Sequence, residues 1–331
     1  MVTRMGIVGF GWVARDYMLP AILASPAAEL RAVVSIRTAD FEGLPPEVAT
    51  YTDVTAMLAN SELDAVYIAS PNHLHRTHAV ACLEAGLHVL CEKPLAHTCA
   101  EAGEIVAAAE GCGTCFLTAF DQRYHPAHEL IAQEIAAGKL GTLTQIRIDY
   151  ACWLPANWCA DNWRIDPERA GGGAVIDLAP HGLDLLEHLT GQRITELQTF
   201  YQRAAHDYGV DDGGMLLARL SGGALASLSV GYNRPDTLPR RRLEIFGTKG
   251  MFLAINTMGQ DPGGELRFIS ANEKEPETEK VFDKDRSPFS GQLEHFLALC
   301  TNRERPQRAV ADDLRLAELL ESCQQKEALW P

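Results

Sequence analysis

The side chain best suited to polarise a substrate oxygen is Lys93, in the sequence Glu92-Lys93-Pro94. Lys93 follows the apolar run 89–91 after one intervening residue, Glu92, so we expect its ammonium group in a crevice at the end of a buried strand. Pro94 fixes the backbone beside it and removes a hydrogen-bond donor. A lysine held there can donate to a substrate oxygen and stabilise negative charge that develops on it. The alternative is an ordinary loop lysine.

A second set of candidate side chains follows a glycine triplet at residues 171–173. The triplet permits close approach of the backbone, and the apolar residues after it predict a helix. Asp177 and His181 are four residues apart and so share one face of that helix, with Asp184 three residues further on. An imidazole has the unperturbed pKa of a general base that works near neutral pH, and Asp177 could orient a substrate hydroxyl or tune the imidazole. The alternative is a core histidine with satisfied hydrogen bonds beside an aspartate that caps the helix.

The elements that must position these side chains begin with a glycine-rich turn at residues 9–14, which fits the pattern G-x-G-x-x-G/A. The apolar run 5–8 before it predicts a buried parallel strand, and a helix-like stretch follows it. Gly9 permits the tight turn, and Gly11 lets backbone amides approach a pyrophosphate at the start of the helix. The alternative is an ordinary strand-to-helix turn. The cofactor-binding residues predicted here are Gly9, Phe10, Gly11, Trp12 and Val13.

The end of the second predicted strand indicates which dinucleotide would bind. Rossmann proteins that use NAD place an acidic residue there for the ribose 2′-hydroxyl, whereas this chain has Ser35 and Arg37. Arginine suits a 2′-phosphate and serine adds a donor, and a charge-assisted hydrogen bond contributes about 1.5–3 kcal/mol. The sequence therefore predicts NADP. NAD stays possible because Asp40 lies slightly further on, and Arg37 could instead be a solvated loop charge.

Strands alternate with helices as far as about residue 120, which predicts an α/β domain with a doubly wound parallel sheet. Ligands of such sheets lie past the carboxyl ends of the strands, so one crevice would collect Gly9, Ser35, Ser70 and Glu92. From Leu140 onward long strands follow one another with little helix between them, which predicts an open, mostly antiparallel sheet in an α+β domain. We assign residues 1–120 to a dinucleotide-binding domain and 121–331 to a domain for substrate binding and oligomerisation.

Composition excludes several classes of protein. The chain has 331 residues, 47% of them hydrophobic and 22% charged, as in soluble globular proteins of two domains. The net charge of −15 disfavours nucleic-acid or anionic-membrane partners. No apolar run approaches 18 residues, and the N-terminus lacks the pattern of a signal peptide. Nine scattered cysteines, with Cys112 and Cys115 as the one C-x-x-C pair, predict reduced thiols in the cytoplasm and no metal site.

Three runs of sequence resemble the Gfo/Idh/MocA oxidoreductases: GIVGFGWVA, SPNHLHRTHAVACLEAGLHVLCEKPLA and NWRIDPERAGGGAVIDLAPHGLDLL. The likeness covers the whole chain, and E-K-P combined with G-G-G-x(3)-D-x(3)-H is its specific part. Ala179 stands where the family commonly has glycine. The resemblance implies a Rossmann domain, a C-terminal domain on an open antiparallel sheet, and hydride transfer between NAD(P) and a carbinol carbon, usually of a sugar or cyclitol. It also implies a homodimer or homotetramer packed through the C-terminal sheet.

The resemblance also implies roles for single residues. Lys93 and His181 match the catalytic lysine and histidine, and Asp177 matches the substrate-binding aspartate. Rival interpretations are a dihydrodiol, ketose or imine reductase on the same fold, a non-catalytic dinucleotide sensor, or an interaction module. The other matches are Pro71, Asn72 and His75 near the nicotinamide, with Ser70 and Glu92 beside them, Trp163 and Arg164 beside the active site, and Arg123 and Tyr124 at the domain junction.

Overall fold

The structure is a computed structural model, and it describes residues 2–159, 161–272, 277–302, 306 and 308–324. The predicted second domain, 121–331, therefore extends past the last described residue. Within the described ranges, no helix combines the length and the hydropathy needed to cross a membrane.

Helices and strands alternate in the first part of the chain and strands dominate the second. A π-helical turn, Ala14–Met18, leads directly into the first α-helix, so the backbone is helical from residue 12 to 24. The first part contains β1 (Thr3–Val8), α1 (Leu19–Ala24), β2 (Ala28–Val34), β3 (Ala49–Tyr51), α2 (Val54–Asn60), β4 (Ala65–Ile68), α3 (His75–Glu84), β5 (His88–Glu92), α4 (Cys99–Gly111) and β6 (Phe116–Ala119). The second contains α5 (Pro126–Ala136), β7 (Leu143–Ala151), α6 (Pro167–Ala170), α7 (Ala174–Thr190), β8 (Ile194–Gln202), β9 (Gly213–Leu220), β10 (Leu225–Gly231), β11 (Arg241–Gly247), β12 (Gly250–Ile255), β13 (Glu265–Ser270), β14 (Glu277–Glu279), α8 (Pro288–Asn302) and α9 (Val310–Gln324).

The strands of the first part form one parallel sheet in the order β3-β2-β1-β4-β5-β6. This is the strand order of the Rossmann fold, and it confirms the predicted fold class of this part. Every residue of β4 is buried, as a parallel strand covered by helices on both faces requires. The sequence did not predict β3, because three residues are too few to show a period.

The described residues divide into two compact units. The first comprises 2–120, 289–302, 306 and 308–317, and the second comprises 121–159, 161–272, 277–288 and 318–324. The assignment of domains to 1–120 and 121–331 stays a prediction, and in the structure the segment Phe289–Ala317 belongs to the first unit. The reason is that Phe289 and Phe296 of α8 are buried in the same apolar core as β1, where Tyr17 stacks on Phe289 at a ring-centroid distance of 5.2 Å.

The second unit contains an eight-stranded sheet in the order β14-β13-β12-β11-β7-β10-β9-β8. All neighbours are antiparallel except β7 and β10, which confirms the predicted, mostly antiparallel sheet. The helix α7 packs on one face of β7, β9 and β10. The opposite side of β8–β10, here called the outer face, exposes the large apolar side chains Phe200, Met215, Leu217 and Leu225.

The start of α7 is held by Asp211, which lies in the loop between β8 and β9. Its carboxylate accepts hydrogen bonds from the backbone N–H groups of Gly173 (2.9 Å) and Val175 (2.8 Å), two donors that have no partner within the helix. A Cβ atom on Gly173 would lie 2.0 Å from the Asp211 carbonyl oxygen, so the close approach requires glycine. Burial raises the pKa of Asp211 to about 6. This contact sets where the helix begins and hence which residues it presents on each face.

We expect Asp211→Ala to lower the free energy of unfolding by about 2–3 kcal/mol, because two buried donors at the helix start lose their acceptor. Asp211→Asn retains one acceptor oxygen and should lie between the alanine variant and the wild type. Asp207 is exposed in the same loop, so Asp207→Ala is a matched control with a change below about 0.5 kcal/mol. Urea denaturation at pH 7 measures all three, and equal stability of the two alanine variants would contradict the role of Asp211.

Candidate active site

The glycine-rich turn after β1 is shaped for close backbone approach. Gly9 has φ +89°, and a Cβ atom there would lie 2.5 Å from the Ser70 backbone nitrogen, so no side chain fits. At Gly11, by contrast, a Cβ atom would meet no described atom within 4 Å and would project into open space. Trp12 and Val13 begin the helix, whose N–H groups suit a phosphate, whereas the Phe10 side chain is buried in the core. The turn therefore fits the pyrophosphate of a dinucleotide through its backbone.

The end of β2 carries a cluster that the sequence only partly indicated. Ser35 is buried, and its hydroxyl donates to the Asp40 carboxylate. Arg37 also pairs with Asp40, at 3.1 Å from Nε and 3.0 Å from a terminal nitrogen, although its side chain is 55% exposed. Asp40 therefore places a carboxylate beside Ser35 at the end of β2, the strand end where NAD-binding proteins of this fold carry an acidic residue. The same carboxylate offsets the charge of Arg37.

The loops after β4 and β5 are joined by His75, which is buried. Its Nδ1 lies 2.9 Å from the Pro94 carbonyl oxygen and its Nε2 lies 2.8 Å from the Ser70 carbonyl oxygen. Burial lowers the pKa of His75 to about 4, so at neutral pH the ring is uncharged and donates to one of the two carbonyls at a time. His75 therefore bridges the loop that carries Lys93 to the loop that carries Pro71.

Lys93 lies directly after β5 and is partly exposed, and its peptide bond to Pro94 is cis. The preceding residue, Glu92, accepts a hydrogen bond of 2.6 Å from the Tyr67 hydroxyl of β4. Asn72 in the neighbouring loop is buried, whereas Pro71 is partly exposed. The glycine turn, the Ser35 cluster and Lys93 thus follow the carboxyl ends of β1, β2 and β5 in the first unit.

Asp177 and His181 lie on α7, as the spacing predicts. Asp177 accepts a hydrogen bond of 2.7 Å from the Tyr232 hydroxyl and lies 4.0 Å from Arg164 Nε. Burial, followed by the nearby Asp177 carboxylate, raises the pKa of Tyr232, so its hydroxyl stays protonated and donates. The Arg164 guanidinium stacks 4.5 Å from the Trp163 ring centroid and 5.5 Å from that of Trp158. Trp163 and Arg164 therefore belong to the same cluster as Asp177.

His181 is 2% exposed, and its surroundings include two residues that the sequence did not indicate. Its Nδ1 lies 3.2 Å from Asp121 Oδ1, and the Tyr150 ring meets the imidazole edge to face at a centroid distance of 5.5 Å. The Nδ1–Oδ1 contact has the length of an ion pair without the alignment of a hydrogen bond. Across the described part of the chain, Nε2 has no hydrogen-bond partner. A buried imidazole with an unpartnered nitrogen has the chemistry of a proton acceptor.

The predicted pair Arg123 and Tyr124 is buried in the structure. Arg123 donates two hydrogen bonds, of 2.8 and 2.6 Å, to the Asp184 carboxylate, and the Arg123 and Asp184 side chains are 8% and 0% exposed. Tyr124 is buried as well. Arg123 lies in the 3-10 turn Asp121–Tyr124, and Asp184 lies on α7 three residues after His181. The pair therefore joins this turn to α7.

Comparison with known proteins accounts for both units. Residues 3–120 match the NAD-binding Rossmann-fold domain of the GFO/IDH/MocA oxidoreductase family, and residues 128–253 match its C-terminal domain. A 1,5-anhydro-D-fructose reductase from Ensifer adhaerens is 30% identical over 273 residues, which cover 82% of this chain and 81% of that protein. The chain belongs to the GFO/IDH/MocA family. It is thus an oxidoreductase with a NAD(P)-binding Rossmann domain, and the predicted family is confirmed.

Two further known proteins extend the comparison. D-xylose 1-dehydrogenase (NADP(+)) 2 from Haloferax volcanii is 30% identical, covering 91% of this chain and 90% of that protein. The solved structure of aldose-aldose oxidoreductase from Caulobacter crescentus superposes with a TM-score of 0.87 at 22% identity, covering 99% of both chains. At that identity the structural likeness shows the fold shared across both units.

Three residues that the sequence analysis missed, Asp121, Tyr150 and Tyr232, contact the predicted Asp177 and His181. A usable signal existed for Asp121 alone, since it follows β6 almost directly and strand ends collect functional side chains in this fold. Tyr150 lies on β7 and Tyr232 directly follows β10. The pairing of these two distant strands in the second sheet brings both side chains against α7.

The buried His128 of α5 makes the stability of this region depend on pH. Its Nδ1 lies 2.8 Å from the Gln122 carbonyl oxygen and its Nε2 lies 3.0 Å from the Thr257 hydroxyl. Burial lowers the pKa of His128 to about 3, whereas in the unfolded chain the value is about 6.5. As the pH falls below 6.5, His128 takes up a proton in the unfolded chain but not in the folded protein. The free energy of unfolding therefore falls progressively until the pH reaches the folded pKa of about 3.

When the pH is lowered from 6.5 to 5, the free energy of unfolding should fall by about 1.5 kcal/mol less in His128→Gln than in the wild type. Urea denaturation across this range measures the difference, with pH 7.5 as the reference for each protein. The raised pKa of Asp211 makes the folded protein more stable as the pH falls, which is the opposite effect. Asp211 is present in both proteins, so its effect cancels in the comparison. Parallel stability curves would show that His128 is not the titrating group.

Proposed function

We propose that this chain transfers a hydride between NADP(H), or NAD(H), and a carbinol carbon of a sugar, a cyclitol or a related polyol. The observation that carries the proposal is the buried His181, whose Nε2 has no partner among the described residues, on the same helix face as Asp177. The family supplies an oxidoreductase with a dinucleotide-binding domain. The relatives named above are a reductase and a dehydrogenase of sugars, which makes sugars the first substrates to test.

In the proposed oxidation, Lys93 and His181 hold the same substrate hydroxyl. When bound, the nicotinamide supplies the hydride acceptor at C4. His181 takes the hydroxyl proton at Nε2 as the carbinol C–H bond gives up its hydride, which leaves a carbonyl group, and reduction is the reverse. Lys93 stabilises the developing alkoxide, a contribution of about 3–4 kcal/mol to the barrier. Asp177, fixed by Tyr232, binds a neighbouring hydroxyl and selects which carbon reacts.

The choice between NADP and NAD depends on the Ser35, Arg37 and Asp40 cluster. Arg37 suits a 2′-phosphate, which supports NADP. Asp40 already pairs with Arg37 and provides a carboxylate for a ribose 2′-hydroxyl, which favours NAD. We therefore propose NADP as the preferred cofactor, with a modest preference and with NAD accepted.

A dihydrodiol, ketose or imine reductase on the same fold is the nearest rival, and a panel of these substrates separates it from a sugar dehydrogenase. A dinucleotide sensor without catalysis would not need Lys93, Asp177 and His181 together. We also propose a homodimer or homotetramer that packs through the outer face, where Phe200 lies directly opposite Met215 and both are exposed. Free cysteines throughout the described chain support a cytoplasmic location.

Lys93→Ala should lower kcat by about 100- to 1000-fold, because the group that stabilises the alkoxide is gone. The Kd of NADP should stay within about twofold, because the lysine acts on the substrate oxygen. Steady-state kinetics with a panel of aldoses and cyclitols, with titration of NADP, measure both. Lys249 is exposed, so Lys249→Ala is a control that should keep wild-type turnover. Unchanged turnover in Lys93→Ala would remove the proposed mechanism.

The two charged residues of the Ser35 cluster should shift cofactor preference in opposite directions. Asp40→Asn frees Arg37 and removes the carboxylate, so the ratio of kcat/KM for NADP to that for NAD should rise about tenfold. Arg37→Ala should lower the same ratio about tenfold. Measurement of both cofactors with one substrate at fixed ionic strength decides this. Movement of both variants in the same direction would refute the opposed roles.

A further inference from the structure

We propose that Asp121 is a positioning residue that orients the imidazole of His181 and determines which of its two ring nitrogens is unprotonated. The inference deepens the proposed function and rests on it for its kinetic consequence. Its structural consequence, the tautomer of His181, can be measured without any substrate.

The Asp121 carboxylate is itself held in place. Its Oδ2 accepts a 2.8 Å hydrogen bond from the side-chain amide of Gln122, which is fully buried. The same amide nitrogen donates to the Gly259 carbonyl oxygen at 2.8 Å, and the Gly259 N–H donates back to the Gln122 side-chain oxygen at 3.2 Å. Gln122 is thereby locked to the loop after β12, and Oδ1 of Asp121 lies on the side of His181.

The turn that carries Asp121 is also joined to the helix that carries His181. Arg123, two residues after Asp121, pairs bidentately with Asp184, three residues after His181, and both partners are buried. A bidentate pair fixes direction as well as distance. The 3.2 Å approach of Asp121 Oδ1 to His181 Nδ1 is therefore imposed by two neighbouring attachments of the turn.

The chemistry of the pair follows from the inventory of donors. A carboxylate only accepts, so the His181 nitrogen that faces it must be Nδ1–H, and the neutral ring then carries its lone pair on Nε2. The present geometry lacks hydrogen-bond alignment, but rotation about the last side-chain torsion of histidine is soft and can supply it. When Nε2 takes a proton, the Asp121 carboxylate stabilises the imidazolium.

The other groups around the imidazole are neutral or paired with another residue, which supports the role of Asp121. Tyr150 of β7 meets the ring edge to face, and burial, followed by the Asp121 charge, raises its pKa, so the phenol stays neutral. His128 of α5 is neutral because burial lowers its pKa to about 3. Asp184 of α7 is paired with Arg123. Among these neighbours, Asp121 is the charged group within ion-pair distance of the His181 ring.

The direct test is the tautomer of His181 by long-range proton–nitrogen NMR on protein labelled at histidine, with the His181 signals assigned by their loss in His181→Asn. The wild type should show Nδ1–H with Nε2 bare. Asp121→Asn can offer an N–H to Nδ1, so the Nε2–H form should gain population. Asp121→Ala serves if the asparagine variant does not fold. The same tautomer in wild type and variant, or Nε2–H in the wild type, would overturn the proposal.

The kinetic test separates positioning from structural support. Asp121→Asn should lower kcat at least tenfold, while KM for the substrate and the Kd of NADP stay within twofold. On a His181→Ala background the same change should cost less than twofold, because Asp121 acts through the imidazole. The exposed change Asp207→Asn is the matched control and should have no effect. Equal losses on both backgrounds would assign Asp121 another role. A wild type inactive on every polyol tested would refute the proposed function, and the NMR result would still decide the tautomer.

Discussion

The buried pair between Arg123 and Asp184 constrains the geometry of the candidate site. Burying two charges is costly, and a pair of this kind contributes little net stability compared with apolar residues of the same volume. Its value lies in direction, because a bidentate guanidinium–carboxylate contact accepts one relative orientation. The turn that carries Asp121 and the helix that carries His181 are therefore held in one register. Loss of either partner would leave a charge uncompensated in the interior.

Much of the fold follows from sequence patterns that act over short distances. The glycine turn between β1 and the first helix, the alternation of strands and helices, and the four-residue spacing of Asp177 and His181 are local, and each is present as predicted. The assignment of Phe289–Ala317 to the first unit was not predictable in this way. Its apolar period predicts a helix, but a period does not say which core the helix covers.

The candidate site was predicted less completely, for a physical reason. The family resemblance implies places for Arg123 at the domain junction and for His75 near the nicotinamide, yet the polar atoms of both contact protein groups: Asp184 for Arg123, and the carbonyls of Ser70 and Pro94 for His75. The partners that tune Asp177 and His181 come from the turn after β6, from β7 and from the end of β10, at separations of 31–60 residues. The contacts of Tyr150 and Tyr232 depend on the pairing of strands in the second sheet, and that of Asp121 depends on the position of the turn after β6. No local pattern encodes either. The contact between Asp40 and Ser35 shows the same limit over a shorter distance, because it depends on a short 3-10 turn that brings Asp40 back to Ser35.

The discontinuous first unit has a consequence for how the protein is made. When the ribosome has delivered the first 120 residues, the apolar side of β1 that receives Phe289 and Phe296 is still uncovered. The missing helix emerges roughly 170 residues later, a delay on the order of 10–30 s at ordinary rates of translation. During that interval the first 120 residues of the nascent chain form an incomplete structure with an open hydrophobic surface. Chaperone capture of the nascent chain would be concentrated in that interval, and residues 1–120 expressed by themselves would be prone to aggregate.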